Sequence, residues 1–376
     1  MRRYQAGIVL LALMCVLCAC FSCGNGDTIV PPQEMVSEQD VPPSRSALRS
    51  VVSVTASFTE DGSAYATANG SAIVYKVEDG GVYLLTNYHV IYEDVVGKTV
   101  DTLCVAPYGF DPEQGVSARY LAHSAEHDLA LLYSEELTTV FPAAVPPEKQ
   151  GSAVVGDTVY AVGNALGRSI SVTAGVVGVE RETVDVYAPY KRDNITMSLI
   201  RVDCALNQGN SGGGLFSSDG HFLGMVGARQ VADQKEGIGY VIPASIVWAV
   251  GDKLMHAAQT GESVSFFHLG ADIAERPIKT SWSDTELCPV YECDVLLTDI
   301  DVGSVASALF EEGDVIEQLT LNDAEQIPIR RGYELSDALL GLNVGDRISV
   351  TYRRDEERHT ISFTVSKQHM TKLSHQ

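Results

Sequence analysis

The sequence predicts a mainly β protein with more than one folded unit, and three observations support this fold class. The 376 residues exceed the usual span of a single hydrophobic core, so we expect two or three folded units. Short β-rich runs broken by Gly and Asp recur from residue 51 to residue 179, which is typical of a sandwich or barrel. From about residue 260 the pattern is mixed, with strand-like runs around a helical segment.

Each element is predicted from its local pattern. In the first half, β-rich runs predict strands at 51–58, 70–75, 82–87, 155–162 and 172–179. A helix is predicted over 243–257, because apolar residues recur there at helical spacing. The last residues are polar and are expected to fray. In the second half, the same reasoning predicts strands at 294–300, 314–319, 347–352 and 359–365 and a helix at 333–342.

The first 50 residues predict export and a tether. Arg2 and Arg3 precede an apolar run that is short for a membrane span, which indicates a signal peptide over 1–19. Leu-Cys-Ala-Cys at 17–20 resembles a bacterial lipobox, in which Cys20 receives lipid and becomes the mature N terminus. The alternative is that these cysteines are small apolar residues of the signal, and Cys23 is a weaker cleavage candidate. Residues 20–50 are rich in Pro, Ser, Gly and acids, and predict a flexible tether.

Charge and cysteine content narrow the function classes. A formal net charge of -23 argues against nucleic acid as a partner, because phosphate binding depends on Lys and Arg. Cys288 and Cys293 are close enough in sequence to bridge in an oxidising envelope. Their pairing cannot be deduced from the sequence alone.

The segment 207–216 packs four glycines around Ser211. Glycine lets a backbone take positive φ and turn its N–H groups toward one point. A glycine-rich turn between strands is the simpler interpretation. If the serine is a nucleophile, it needs a neighbouring base, so the chain must also supply a His and a group that orients it.

Two residues ahead of this segment could supply those groups. His89 ends the apolar strand predicted at 82–87, and Asp128 stands in a polar turn before the apolar run 129–132. A lone His is more often structural, and an acid at a strand start is common. His123 and His127 lack motif support, and we expect them to lie on the surface or behind the site.

These motifs resemble those of a known family. Gly-Asn-Ser-Gly-Gly at 209–213, Leu-Thr-Asn-Tyr-His-Val at 85–90 and Asp-Leu-Ala at 128–130 are similar to the triad motifs of trypsin-fold serine proteases. Val-Asp-Cys-Ala at 202–205 resembles the bacterial HtrA (Do-like) branch. The resemblance implies a trypsin-like double β-barrel protease domain at 51–258, followed by a smaller α+β PDZ domain at 262–368.

The resemblance also implies residue roles. His89 would take the proton from Ser211, and Asp128 would fix the imidazole tautomer. The amides of Gly209 and Ser211 would form the oxyanion hole, with Asn210 shaping the turn. Trypsin has an Asp at the position of Asn210, so activation by zymogen cleavage is not expected. The implied substrate pocket is lined by Ala205, Leu206, Val226, Gly227, Ala228, Gly239 and Tyr240.

The implied pocket has Ala205 at its base, where trypsin has an acid, so we expect cleavage after small or medium aliphatic residues. Ala165 and Gly214 stand where this branch usually has Pro, which affects the substrate cleft rather than the proton-transfer groups.

The C-terminal motifs resemble, in order, the second half of an HtrA-type PDZ domain: Gly-Asp at 313–314, Tyr-Glu-Leu at 333–335 and Gly-Asp at 345–346. Such a domain binds a C-terminal peptide as an added strand. His268, Leu269 and Gly270 form the candidate carboxylate loop.

The resulting expectation is a lipid-anchored serine endopeptidase of the bacterial envelope. It would cut unfolded or damaged proteins without metal or cofactor. HtrA relatives form trimers, often through residues before the first barrel strand, but this stretch has few aromatic residues, so the oligomeric state stays open. The alternative is a chaperone or stress sensor that captures peptides through the PDZ unit and does not cleave.

Overall fold

Short alternating apolar runs form a first closed barrel in the computed structural model of the protein. Six of its first eight strands close in the order β1-β2-β3-β8-β7-β6, and β4 pairs with β5 beside them. The structure describes residues 45, 47–78, 80–137, 153–227, 237–284, 288–324 and 326–372. The first eight strands are β1 (Val51–Glu60), β2 (Ser63–Glu78), β3 (Gly81–Asn87), β4 (Tyr92–Glu93), β5 (Lys98–Thr99), β6 (Thr102–Pro107), β7 (Val116–Ser124) and β8 (Leu129–Ser134).

β8 shows why this sequence forms a barrel beside a second layer. Leu129 and Leu131 face a core shared with the second half of the chain, whereas Ala130 and Leu132 face the barrel interior. Side chains alternate across a strand, so a run that is apolar at every position suits a strand buried on both faces. β8 therefore lies where the first barrel meets the rest of the molecule.

A second closed barrel follows, in the order β10-β11-β14-β13-β12-β9. Leu215, Val226 and Val241 are among the residues of its interior cluster, and a helix packs outside it. This helix ends at Gly261, which takes a left-handed conformation with φ 71°. The elements are β9 (Thr158–Gly163), β10 (Ser171–Ala188), β11 (Asp193–Val202), β12 (Gly214–Ser217), β13 (Phe222–Val226), β14 (Gly239–Pro243) and α1 (Ala244–Thr260).

The C-terminal residues form an α+β unit with its own core. Val295, Ile316 and Leu335 belong to its buried cluster. Its main sheet has the order β16-β17-β18-β20-β21, with β19 beside β18, and β15 pairs separately with β22. The elements are β15 (Ser265–Phe267), β16 (Asp272–Ser283), β17 (Cys288–Thr298), α2 (Val305–Leu309), β18 (Val315–Leu321), β19 (Gln326–Pro328), α3 (Gly332–Leu340), β20 (Arg347–Arg354), β21 (Glu357–Thr364) and β22 (Met370–Lys372).

Charged groups join this unit to the second barrel within the part of the chain that the structure describes. Arg181 of β10 pairs with Asp337 of α3, which also accepts a 2.6 Å hydrogen bond from Ser245. Lys253 of α1 donates to Asn343 at 2.8 Å, and burial lowers its pKa to about 8. Removing one partner would leave the other group charged, buried and unpaired. These contacts therefore favour one arrangement of the second barrel and the C-terminal unit.

Several elements differ from the predictions. β11 was not predicted, because exposed polar residues interrupt its apolar pattern. The residues expected to fray at the C terminus include those of β22. They form a strand because β15 supplies hydrogen-bond partners, which the local sequence does not reveal.

The signal peptide, Cys20 and most of the tether lie outside the described residues, and the domain boundaries stay predictions. No helix in the described ranges has the length and apolar character that crossing a bilayer requires.

The disulfide considered between Cys288 and Cys293 does not form. Both residues lie on β17, and five residues of extended chain span about 17 Å, which is too far for a disulfide. Cys293 is a free, buried thiol whose Sγ donates to the Arg330 carbonyl at 2.9 Å. Burial raises the pKa of this thiol to about 11.

The stability of the C-terminal unit depends on one buried carboxylate. Asp314 is 1% exposed and receives two hydrogen bonds from the Arg354 guanidinium, at 2.7 and 2.6 Å. We expect Arg354→Met to lower the free energy of unfolding by about 3–5 kcal/mol, because the buried charge loses its partner. Urea unfolding, with hydrogen exchange of the β18 and β20 amides, measures the effect.

The matched control is Arg347→Met, which removes an exposed pair with Asp323. Such pairs contribute about 0–1 kcal/mol. Equal stability losses in the two variants would contradict the role of Asp314.

Candidate active site

His89 and Asp128 form a hydrogen-bonded pair beside the junction of the two barrels. His89 Nδ1 lies 2.6 Å from Asp128 Oδ2, and the His89 backbone N–H donates to Asp128 Oδ1 at 3.0 Å. Asp128 is 4% exposed. An ionised carboxylate accepts the Nδ1 proton, which leaves Nε2 free to accept another. The pair therefore has the geometry of an oriented general base.

The backbone around Asp128 holds this pair in place. Asp128 has φ 51°, in the left-handed region that non-glycine residues rarely adopt. Its carbonyl accepts from the Tyr88 N–H at 3.0 Å and from Asn87 Nδ2 at 3.1 Å. The end of β3 and the start of β8 are thereby joined just where the two side chains meet.

The loop that carries Ser211 requires glycine at two positions. Gly209 has φ 95°, and a Cβ there would lie 2.2 Å from the Asn164 carbonyl oxygen. Gly212 has φ 84°, and its Cβ would lie 2.0 Å from the Ser71 carbonyl oxygen. Both contacts are too close for any side chain, so these residues let the loop approach the two barrels closely.

The predicted oxyanion donors keep their hydrogens available. Among the described residues, no group accepts a hydrogen bond from the backbone N–H of Gly209 or Ser211. Asn210, buried between them, donates its N–H to Asn207 and accepts one from Gly213. Two free amides on one tight turn can stabilise a negative oxygen.

Ser71, which the sequence analysis did not single out, connects the barrels at this point. Its hydroxyl donates to the Gly209 carbonyl at 2.8 Å and accepts from the Asn164 N–H at 2.8 Å. Its backbone N–H donates to the Ser211 carbonyl at 2.8 Å. Ser71 is fully buried on β2, so one side chain of the first barrel holds the Ser211 loop of the second.

The His89 and Ser211 segments lie side by side, but their side chains are not hydrogen-bonded among the described residues. A Cβ on Gly70 would lie 2.5 Å from Val90, the residue after His89, and 3.3 Å from the Ser211 carbonyl oxygen. In free enzymes the bond between nucleophile and base is often long and tightens only when substrate binds.

The chain is similar in sequence to known proteins. Residues 70–225 match the family described as "Trypsin-like peptidase domain". The Serine protease Do-like HtrA of Lactococcus lactis subsp. cremoris (strain MG1363) is 26% identical over 314 residues, which cover 80% of this chain and 71% of that protein. The Serine protease Do-like HtrA of Bacillus subtilis (strain 168) is 32% identical over 198 residues, covering 51% of this chain and 40% of that protein.

This chain is a serine endopeptidase. The predicted fold class, mainly β with a trypsin-like β-barrel protease domain, is confirmed. A solved structure, the serine endoprotease from Yersinia pestis, aligns over 88% of this chain and 97% of its own with 21% identity and a TM-score of 0.46.

The predicted substrate pocket of the protease is lined by strand ends of the second barrel. Leu206 is half-buried and fills the space beside Gly239, where a Cβ would lie 2.5 Å from Leu206 Cδ1. Val226 is buried, and the Gly227 N–H donates to the Tyr240 carbonyl at 3.1 Å. Ala205, which was expected at the base of the pocket, is exposed. Ala228 lies outside the described residues.

The other two histidines lie beside the pair formed by His89 and Asp128. His123 stacks on Tyr88 with ring centroids 3.9 Å apart, directly before His89. His127 bonds to the buried Ser124 and contacts Phe266. Both side chains are partly exposed and packed against neighbouring residues. In the described ranges, no group of three or more His, Cys, Asp or Glu residues lies close enough to hold a metal.

Ser71→Ala tests the link between the barrels. The change leaves the Gly209 carbonyl and the Asn164 N–H without their partner, and each unsatisfied group costs about 1–3 kcal/mol. We expect lower stability and slower reaction of Ser211 with a fluorophosphonate, since the oxyanion turn loses a support. The labelling rate and the melting temperature give both effects.

Ser53→Ala is the matched control, because Ser53 is also buried in the first barrel and donates to the Ala106 carbonyl at 3.1 Å. It should lose stability without slowing the reaction of folded protein. Equal slowing in both variants would contradict the role of Ser71.

Leu206→Ala tests the pocket. Removing this side chain enlarges the space beside Gly239, and each methylene in such a pocket is worth about 1–3 kcal/mol. The ratio of kcat/KM for a peptide p-nitroanilide with Phe at the cleavage position to one with Val should rise at least about tenfold. Leu223→Ala, in the same core cluster but away from Gly239, should leave the ratio unchanged.

Proposed function

We propose that Ser211, His89 and Asp128 form the catalytic triad of an endopeptidase that cleaves unfolded or damaged proteins of the bacterial envelope. The observation that carries this proposal is the 2.6 Å bond between His89 and the buried Asp128, next to the Ser211 turn with its two free amides. In this triad, His89 would activate Ser211 as the nucleophile that a serine endopeptidase needs.

The proposed reaction proceeds through an ester intermediate. His89 Nε2 takes the proton from Ser211 Oγ, which bonds to the peptide carbonyl carbon. The Gly209 and Ser211 amides stabilise the resulting oxyanion, and each such donor contributes about 2.7–4 kcal/mol. His89 then gives its proton to the leaving amine, and the C–N bond breaks. Water, deprotonated by His89, then attacks the ester carbonyl carbon. The bond from this carbon to Ser211 Oγ breaks, His89 returns the proton to Oγ, and the carboxylic acid product leaves.

Substrates of the proposed enzyme are extended chains with small or medium aliphatic residues at the cleavage position. Leu206 supports this preference, because it occupies part of the predicted pocket. The names of the Lactococcus and Bacillus relatives describe serine proteases, which is consistent with polypeptide substrates. Envelope localisation, the lipid on Cys20 and a homotrimer stay predictions from the N-terminal sequence.

The C-terminal unit is proposed to bind peptides as a PDZ domain. β16 is an edge strand, and a cavity of 780 Å³ lies between it, α3 and the second barrel. The Leu269 and Gly270 amides, in the predicted carboxylate loop, have no acceptor among the described residues. Neither residue lines that cavity, and His268 lines a separate one of 610 Å³.

A non-cleaving chaperone or sensor is the second candidate. Within the described ranges the side chains of His89 and Ser211 share no hydrogen bond, and this observation favours the second candidate together with the cavity beside β16. A protein with this function would bind peptides but leave Ser211 unreactive.

Labelling with a fluorophosphonate separates the two candidates. The full chain, purified in detergent, should react and should digest casein, and Ser211→Ala should lose both activities, by about 10⁶-fold in turnover. Ser218→Ala, an exposed serine in the same part of the chain, should behave like wild type. Unlabelled wild-type protein that still binds peptides would support the sensor instead.

A further inference from the structure

Asp128, in the turn between β7 and β8, has a strained backbone conformation. Asp128 has φ 51°, a left-handed conformation that non-glycine residues rarely adopt. Such residues persist where the surrounding structure determines their conformation. Neighbours of this turn therefore influence where the Asp128 carboxylate lies.

His127 is the neighbour that packs this turn from the other side. Its Nδ1 lies 2.8 Å from the hydroxyl of Ser124, a fully buried residue at the end of β7. This bond spans the turn between β7 and β8. Burial, with a smaller effect from the Lys191 charge, lowers the pKa of His127 to about 4, so its ring is neutral at neutral pH.

The ring of His127 also contacts the first strand of the C-terminal unit. The rings of His127 and Phe266 lie 4.7 Å apart. Phe266 belongs to the core shared by the two barrels and α1, whereas the next residue, Phe267, belongs to the core of the C-terminal unit. Alternation along β15 thus sends two adjacent rings into two different cores.

We propose that His127 is a positioning residue for the Asp128 carboxylate, held in place by Ser124 and by Phe266 of the C-terminal unit. The inference rests on the proposed function, because it needs Asp128 in the triad. Because His127 contacts Phe266 of β15, the position of β15 affects the position of the Asp128 carboxylate and, through it, the orientation of His89. The HtrA-type motifs quoted above do not include His127, and its role follows from its contacts alone.

The rate of fluorophosphonate labelling tests this proposal on the full chain, since kinact reports activation of Ser211 and KI reports binding of the probe. We expect His127→Leu to lower kinact about 10- to 100-fold with KI unchanged, because a small displacement of a catalytic group is enough for such a loss. His127→Asn should restore most of the rate, since its amide can replace Nδ1 in the bond to Ser124.

Two phenylalanines provide the matched pair for the contact with the C-terminal unit. Phe266 and Phe267 are adjacent and 7% and 8% exposed. Phe266→Leu should lower kinact, whereas Phe267→Leu should lower the melting temperature by a similar amount and leave kinact unchanged. If His127→Leu does not fold, this pair decides the question.

Wild-type kinact in His127→Leu would overturn the inference, and so would a His127→Asn variant as slow as His127→Leu. Equal kinact values in Phe266→Leu and Phe267→Leu would also overturn it. The proposed function is tested separately by Ser211→Ala. If that variant loses labelling while the His127 variants are normal, this inference alone fails; if it keeps labelling, the proposed function fails.

Discussion

The hydrogen bonds of the Ser71 hydroxyl are the constraint on which the rest of the site depends. His89 and Asp128 belong to the first barrel and Ser211 to the second, so the position of one barrel against the other sets the distance between the proposed base and the proposed nucleophile. Ser71 is buried, and water does not compete for its bonds to Gly209 and Asn164. A buried, fully satisfied network of this kind favours one arrangement of its members.

The same junction explains how the Gly209 and Ser211 amides stay without an acceptor in the part of the chain that the structure describes. Buried N–H groups are almost always hydrogen-bonded, so such amides carry an energetic cost. The close contacts of Gly209 and Gly212 with the backbones of the two barrels hold the turn against relaxation. The β scaffold thus stabilises a local arrangement that an isolated loop would not keep.

The C-terminal unit is attached to the protease by specific polar contacts as well as by apolar packing. Asp337 is held by Arg181 and Ser245, and burial raises the pKa of Asp337. β15 adds an apolar connection, because Phe266 reaches the shared core and contacts His127. The C-terminal unit and the Asp128 turn are therefore physically continuous.

Much of this protein could be predicted from its sequence. Apolar alternation identified nine of the 22 strands in the described residues and the helix that became α1, because burial on one or two faces leaves a local pattern. The glycines around Ser211 indicated a turn with unusual backbone geometry, since only glycine tolerates it. Resemblance then assigned His89 and Asp128 their roles, and the two lie together as expected.

Other features exist only in the tertiary structure. Ser71 and Gly209 are separated by 138 positions, and nothing local marks Ser71 as the residue that joins the barrels. The contact of His127 with Phe266, the free thiol of Cys293 and the pairing of β22 likewise depend on which distant strands pack or pair. The sequence by itself determined periodicity and backbone freedom, which are local properties. The tertiary structure decided the partners of each side chain, because these depend on the register and packing of whole barrels.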